Sequence, residues 1–383
     1  MNRSKIQLAF DFKYEECCNN HSLSWVQEGA AHSIMKCHTI NCGLNRMVCT
    51  ECGTITEHYN SCRNRNCPNC QAILKEIWID ARKSEVIDGT YFHAVFTVPH
   101  ELNALIYSNQ KLLYGLMHRC AAETILELSK DKKHLGATPA IIQILHTWGQ
   151  KLNYHPHIHC IISGSGLSPE RKLITRKSSF FLPIKVMSKK FRGKFMAALQ
   201  ALRDNDKLLY ISECKPLQNS YAWNEFRNSL YNKDWCPYIK ETFNGFGNAI
   251  DYLGRYANRI AITNSRIQSV SPNKITFYAK DYKSGSNTLV TLETEEFVRR
   301  LLMHVLPPGF QKIRYYGLLN NRYKKKNLTL IFRLQGHQNF RSQYIGLSKA
   351  EVMKLAWGYD ISCCPHCKCN SLVTYVTAYP LRC

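Results

Sequence analysis

No apolar run in this chain reaches about 18 residues, the length a membrane-crossing helix needs. The N-terminal stretch from Met1 to Asp11 has no hydrophobic core ahead of a small-residue cleavage site, so it does not read as a secretion signal. Internal repeats and low-complexity segments are also missing. Acidic residues are scarce: 28 Asp and Glu stand against 51 Lys and Arg, for a formal net charge of +23 and a pI near 9.4. These absences point away from membrane-spanning and secreted proteins and lead to the expectation of a cytoplasmic, nucleoid-associated protein. An excess of cations on this scale attracts polyanions, nucleic acid first. A membrane surface would satisfy the same charge, but no basic helix shows a clean apolar face. With 45% hydrophobic residues over 383 positions, the chain is globular and long enough for two or three domains.

What the chain does have is cysteine. Of 18 cysteines, seven lie between Cys37 and Cys70 and five between Cys363 and Cys383. In a reducing compartment such clusters read as metal ligands rather than disulfides. Cys49-Thr-Glu-Cys52 and Cys67-Pro-Asn-Cys70 are two Cys-x2-Cys knuckles, 14 residues apart. Two knuckles supply four thiolates, and the expectation is one closed structural zinc site of Cys49, Cys52, Cys67 and Cys70. Cys62, with Cys37, His38, Cys42 and His58 nearby, is spaced too irregularly to define another. At the C-terminus, Cys364 and Cys367 form one more knuckle, a possible second zinc site to be completed by Cys369, His366 or Cys383. Arg63, Arg65 and Lys75 flank the N-terminal module and suit contact with a DNA backbone.

The second chemical signal is Tyr154-His-Pro-His-Ile-His-Cys-Ile-Ile162. Alternation after Pro156 reads as a strand entering a core, with His157 and His159 on one face and close enough to share one ion. At ~3.3 Å per residue, His155 would lie roughly 13 Å from His159 unless the strand bends. The third ligand is therefore left between His146 and His155, with His146 favoured on reach. Around this strand the pattern predicts a helix over Gln71–Ser84, a strand over Tyr91–Val98, one long helix or two over His100–Ser129, a strand over Ala140–His146 and a helix over Ser188–Leu202. That order matches a split βαβ sheet with helices on one face, the second and third strands pairing as an antiparallel hairpin. Further on, Lys274–Tyr278 reads as a strand and Thr294–His304 as a helix.

Between those lies Asn248–Ile260, helical in pattern despite Gly254. At ~100° per residue, Ala249, Ile250, Leu253, Ala257 and Ile260 make an apolar stripe. Tyr252 and Tyr256 fall outside it, beside Arg255 and Arg259.

A Cys-knuckle ribbon, a paired-histidine strand and a downstream Tyr-x3-Tyr helix, in that order, resemble the rolling-circle insertion-sequence transposases with two tyrosines, of the HUH endonuclease group. The resemblance spans roughly residues 40 to 320. It is carried by Asn60-Ser-Cys-Arg-Asn-Arg-Asn-Cys-Pro-Asn-Cys-Gln71, Phe96-Thr-Val-Pro-His-Glu-Leu102, His146-Thr-Trp-Gly-Gln150, His155-Pro-His-Ile-His-Cys160, Tyr252-Leu-Gly-Arg-Tyr256 and His304-Val-Leu-Pro-Pro-Gly-Phe310. It implies an α+β fold: an HUH-nuclease split βαβ domain with a central antiparallel sheet, preceded by a zinc ribbon and followed by a small Cys-containing C-terminal region. The expected boundaries are an extension over 1–35, ribbon and linking helix over 36–85, the nuclease domain over 86–320 and a basic C-terminal region over 321–383. The resemblance also implies Tyr252 and Tyr256 as nucleophiles, Mg²⁺ or Mn²⁺ on His157 and His159, and single-stranded DNA at transposon ends as substrate, with no membrane partner. Arg255 and Arg259 would steady phosphate. The resulting activity is DNA cleavage and rejoining through a 5′-phosphotyrosine link. Two other classes compete: a non-catalytic zinc-ribbon DNA-binding protein, and a zinc hydrolase, which leaves the two tyrosines and the charge unexplained.

Overall fold

The structure, a computed structural model, describes residues 3–176, 181–235, 238–242, 254, 261–280, 285–336 and 342–378. At its centre are β3 (Tyr91–Thr97), β4 (Thr138–Trp148) and β5 (Tyr154–Leu167). β4 and β5 form an antiparallel hairpin, and β3 pairs with the far side of β5. β11 (Ile313–Gly317) extends the sheet beside β4, β7 (Tyr238–Thr242) beside β3, and β6 (Leu173–Thr175) pairs with β5. Every pairing in this sheet is antiparallel.

Alternation along the strands sorts the side chains into two faces. Phe92, Ala94, Phe96, Leu145, Ile158, Cys160 and Ile162 face α5 (Gln110–Lys130) and α6 (Ile184–Asp204), meeting Leu113, Met117, Phe191 and Phe195 in the largest core. Each such buried aromatic or leucine contributes ~1.5–3 kcal/mol. Ala140, Ile142, Ile144 and Ile161 face the other way. They pack against Ile79 of α3 (Ala72–Lys83) and against Leu328 and Ile331 of the helix Lys324–Gln335. The sheet is therefore covered by helices on both faces, not on one as the element order suggests. The reason is in β4 itself: Ala140-Ile-Ile-Gln-Ile-Leu is nearly continuous in apolar residues, and such a strand is buried on both sides.

The first helices, α1 (Lys5–Asn20) and α2 (Trp25–Lys36), each begin in a capping box, Ser4 with Gln7 and Ser24 with Gln27. Their apolar residues Ile6, Phe10 and Ile34 share a core with Phe277, Phe297 and Val298, from the sheet β8–β9–β10 (Ile267–Val270, Lys274–Lys280, Asn287–Glu293) and the helix Thr294–Met303. Ala261 and Ile262, just after the two tyrosines in sequence, are buried in the same core. A third small sheet joins β1 (Leu44–Cys49), β2 (Ile55–Tyr59) and the distant β12 (Leu372–Ala378).

Tyr252, Tyr256, Arg255 and Arg259 lie outside the described residues. Gly254, between the tyrosines, is described: it is helical and buried, and a Cβ added to it would stand 2.2 Å from Cδ1 and 2.4 Å from Cγ1 of Ile79. The glycine thus permits close approach to α3, which covers the second face of the sheet. Gly254→Ala gains helix propensity worth ~1 kcal/mol but overpacks this contact, at a cost of ~1–3 kcal/mol. A net loss of stability is expected in urea unfolding, and in combination with Ile79→Ala the loss is expected to be smaller than the sum of the two single losses. Losses that simply add in the double variant would show that the two residues are not in contact.

Candidate active site and metal clusters

β5 carries His157 and His159 on its second face, and the register places His146 of β4 directly opposite His157. Ring centroids are 4.5 Å apart for His146 and His159, 4.9 Å for His157 and His159, and 5.5 Å for His146 and His157. One nitrogen from each of the three falls within 4.8 Å of the others. The Nε2 atoms of His157 and His159 face each other at 3.1 Å. Nδ1 of His157 donates to the carbonyl of His155 at 2.7 Å, which leaves its Nε2 with a free lone pair. His155 contributes that carbonyl, and its ring stays outside the group of three.

Burial, reinforced by repulsion from His155, holds the His157 imidazole down at about 4. Burial, then His146 and His157, hold His159 well below the usual histidine range. Both rings are therefore neutral at pH 7, the state a metal ligand requires. Three neutral imidazoles with open positions suit Zn²⁺ by ligand type, whereas Mn²⁺ and Mg²⁺ favour oxygen ligands, which water and phosphate would supply at the open positions.

Cations and aromatics border this centre. Trp148 stacks on His146 at 4.5 Å, and Nζ of Lys312 stands 5.2 Å from the Trp148 ring centroid. Burial, then the nearby Arg65 guanidinium, bring the Lys312 ammonium down to about 7. Arg65 itself donates to the Phe310 carbonyl at 2.9 Å, so the loop Cys62–Cys70 reaches the edge of the histidine centre. Arg63, at positive φ in that loop, is exposed. His304 braces the β4–β5 turn, contacting the Thr147 hydroxyl at 3.2 Å and the Leu152 carbonyl at 3.1 Å.

The cysteines divide differently from the expected set. Cys37, Cys62, Cys67 and Cys70 form one group, and Cys49, Cys52, Cys364 and Cys367 another, each with its sulfurs within 4.8 Å. Cys49 and Cys52 sit at the turn of the β1–β2 hairpin, while Cys67 and Cys70 follow its open end, where Cys37 and Cys62 also lie. Five paired residues at ~3.3 Å each separate the two ends by roughly 17 Å. One ion cannot span them. The single site of Cys49, Cys52, Cys67 and Cys70 is thus replaced by two groups, and the C-terminal knuckle is completed by Cys49 and Cys52 rather than by Cys369 or His366; Cys383 lies outside the described residues. β12 brings that knuckle in by pairing with β1, Cys49 opposite Leu372.

Zn–S bonds of about 2.3 Å give tetrahedral sulfur–sulfur edges of about 3.8 Å. The observed separations match: 3.8 Å for Cys62 and Cys70, 3.5 Å for Cys49 and Cys367, 3.7 Å for Cys52 and Cys364. The Thr54 hydroxyl, 3.1 Å away, holds the Cys52 thiol down at about 5, favouring thiolate. Both donor sets fit closed structural zinc sites.

Comparison with known proteins agrees with this geometry. Residues 9–98 match the family model "Transposase zinc-binding domain", and residues 140–327 match "Putative transposase". The chain is 37% identical over 366 residues to "Putative transposase y4qJ" of Sinorhizobium fredii (strain NBRC 101917 / NGR234), a match covering 92% of this chain and 90% of that protein. The chain belongs to the IS91-type transposase family. It is also 26% identical over 306 residues to the "Transposase for insertion sequence element IS801" of Pseudomonas savastanoi pv. phaseolicola, across 78% of this chain and 72% of that protein. No solved structure matches the chain significantly. As a transposase it has DNA as its substrate, and among the described residues no helix is long and apolar enough to cross a membrane. The histidine centre and the tyrosine stretch lie inside the transposase match, whereas Cys364 and Cys367 lie outside both matched segments.

Reading the transposase sequence alone misses His93, Trp148 and Lys312. His93 sits in the apolar run Tyr91–Val98, where a single histidine gives no spacing signal. Trp148 follows His146 by two, on the same strand face, a cue that the alternation does carry.

Two measurements test the site. Metal analysis of the purified transposase is expected to give at least two zinc ions per chain, with one fewer in Cys62→Ser and one fewer in Cys364→Ser; a variant that loses no zinc would leave its group without metal. The second concerns pH. His93, His157 and His304 are held at about 4 when folded, against 6.5 as the ordinary value. The unfolded chain then binds protons first, so stability of the protein stripped at the histidine centre is full above about 6.5 and falls toward about 4. A urea midpoint unchanged across that window would show these rings charged in the fold.

Proposed function

We propose that this transposase cuts and rejoins single-stranded DNA at insertion-sequence ends through a 5′-phosphotyrosine link, in the cytoplasm. The observation that carries the reading is the convergence of His146, His157 and His159 on the middle strands of an antiparallel sheet, in a chain of this family. These three imidazoles would hold the divalent cation, expected to be Mg²⁺ or Mn²⁺. Bound there, it would neutralise charge on the scissile phosphate.

The residues of the chain supply the rest. Tyr252 and Tyr256 are the candidate nucleophiles: the phenol oxygen forms a bond to phosphorus as the bond to the 3′ oxygen breaks. The DNA 5′ phosphate stays on the protein and a 3′ hydroxyl is freed, so a later hydroxyl can reverse the exchange without an outside energy source. Gly254 against Ile79 supports bringing that stretch to the sheet face that carries the histidines. Arg65 and Lys312 bring positive charge to the rim of the centre, suited to the DNA backbone; Arg63, Arg255 and Arg259 are candidates for further phosphate contacts. Zinc in the two cysteine groups has no open position and serves folding and docking, not the chemical step.

Incubation with single-stranded oligonucleotides from the element's ends, plus Mn²⁺ or Mg²⁺, is expected to give a covalent protein–DNA adduct on denaturing electrophoresis. His157→Ala should abolish it while leaving DNA binding within a few fold, because backbone contacts elsewhere dominate affinity. Tyr252→Phe and Tyr256→Phe together should abolish it without loss of folding. An adduct that survives the double variant would mean another nucleophile, and none from the unaltered protein would favour DNA binding alone.

A further inference from the structure

We infer that His93, on β3, is a positioning residue for the metal centre: it accepts the proton-bearing edge of His159 and so fixes which nitrogen of His159 can hold the cation. The inference rests on reading the three histidines as a metal centre. Neither matched segment assigns His93 a role: it lies outside the transposase match, inside the segment described only as zinc-binding.

A neutral imidazole carries one N–H, and a nitrogen that binds a cation must be the other one. In His157 the choice is made by the His155 carbonyl, which takes the Nδ1 proton and leaves Nε2 open. In His159 the Nε2 atom faces His157 at 3.1 Å, so Nδ1 must bear the proton if Nε2 is to bind. Its neighbour there is Nε2 of His93, at 2.9 Å. The ring centroids are 5.1 Å apart and the ring planes only 5° from parallel. With nitrogens this much closer than centroids, the two rings meet edge to edge in nearly one plane, the arrangement of an in-line N–H···N bond and not of a face-to-face stack.

The register makes the contact geometric rather than incidental. Val95 is opposite His159 and His93 opposite Ile161, so His93 lies one diagonal step away on the same face. It is only 6% exposed, so water does not compete readily for the bond. The alternative proton arrangement shows what is at stake. Were His93 to donate from Nε2, Nδ1 of His159 would be the acceptor, its proton would move to Nε2, and that nitrogen would be closed to metal. With a lone pair on Nε2 and its proton on Nδ1, His93 selects the competent tautomer. Partners of this kind commonly change metal affinity 10–100-fold when removed.

The test uses the full chain with its zinc intact. His93→Phe keeps a planar ring and loses the acceptor; His93→Gln returns an acceptor at about the reach of Nε2. Mn²⁺ binding is followed by the electron paramagnetic resonance of free Mn²⁺, and adduct formation is followed across a Mn²⁺ titration. The expected result is a 10–100-fold weaker Mn²⁺ affinity in His93→Phe, adduct formation recovered at high Mn²⁺, and affinity restored to within a few fold in His93→Gln. Unchanged affinity in a folded His93→Phe overturns the inference while leaving the metal-centre reading in place. An unaltered protein that binds no Mn²⁺ overturns both. Should His93→Phe fail to fold, ¹⁵N-histidine spectra of the Mg²⁺-loaded, unaltered protein decide: a proton on Nδ1 of His93 supports the inference, and one on Nε2 overturns it.

Discussion

Pairing of His146 with His157 across the β4–β5 hairpin is the constraint on which the centre depends. Side chains alternate along a strand, so slipping this pair by one residue would send His157 and His159 into the Phe96–Phe191 core and bring Ile158 to the face that carries His146. The hairpin resists that slip because each of its faces is buried under different helices. Burial does a second job there: it keeps the imidazoles neutral, which in the open would hold only above the usual histidine range. Folding and site chemistry therefore draw on the same desolvation.

Much of this was legible in the sequence, for identifiable reasons. The expected strands over Tyr91–Val98 and Ala140–His146 and the helices over Gln71–Ser84 and Ser188–Leu202 lie within a few residues of β3, β4, α3 and α6. Those segments have strong periodicity and little competition from turn residues. The placement of His157 and His159 on one face needed only alternation. Other features depended on partners far away in the chain. β11 is only five residues long and ends in a glycine, too short to announce itself, yet it extends the sheet beside β4. The grouping of cysteines failed for a similar reason: spacing identifies knuckles, but which knuckles meet is set by the hairpin that separates them and by β12. His93 is a lone polar residue in an apolar run, and only cross-strand register gives it a partner.

The loop Cys62–Cys70 joins one cysteine group to the edge of the histidine centre. Its cysteines close one group with Cys37, its Cys67 is buried in the core shared with Ala261 and Ile262, and its Arg65 reaches the Phe310 carbonyl beside Lys312. A metal-braced loop of this kind positions a cation at the edge of the histidine centre without a helix or strand of its own. The segment that reads in sequence as a separate ribbon is, at this end, part of the wall of the centre.

The other cysteine group has a consequence for how the protein is made. Cys49 and Cys52 leave the ribosome early, and Cys364 follows Cys52 by 312 residues. Until Cys364 and Cys367 are made, the first pair can offer a metal ion only half of a four-thiolate shell. Completion of the shell therefore reports that synthesis has passed Cys367, and any product terminated before residue 364 lacks it. Such a product also lacks β12, so β1 keeps an unpaired edge, a template for aggregation or degradation. For a transposase, this couples the integrity of the N-terminal module to the arrival of Cys364 and Cys367.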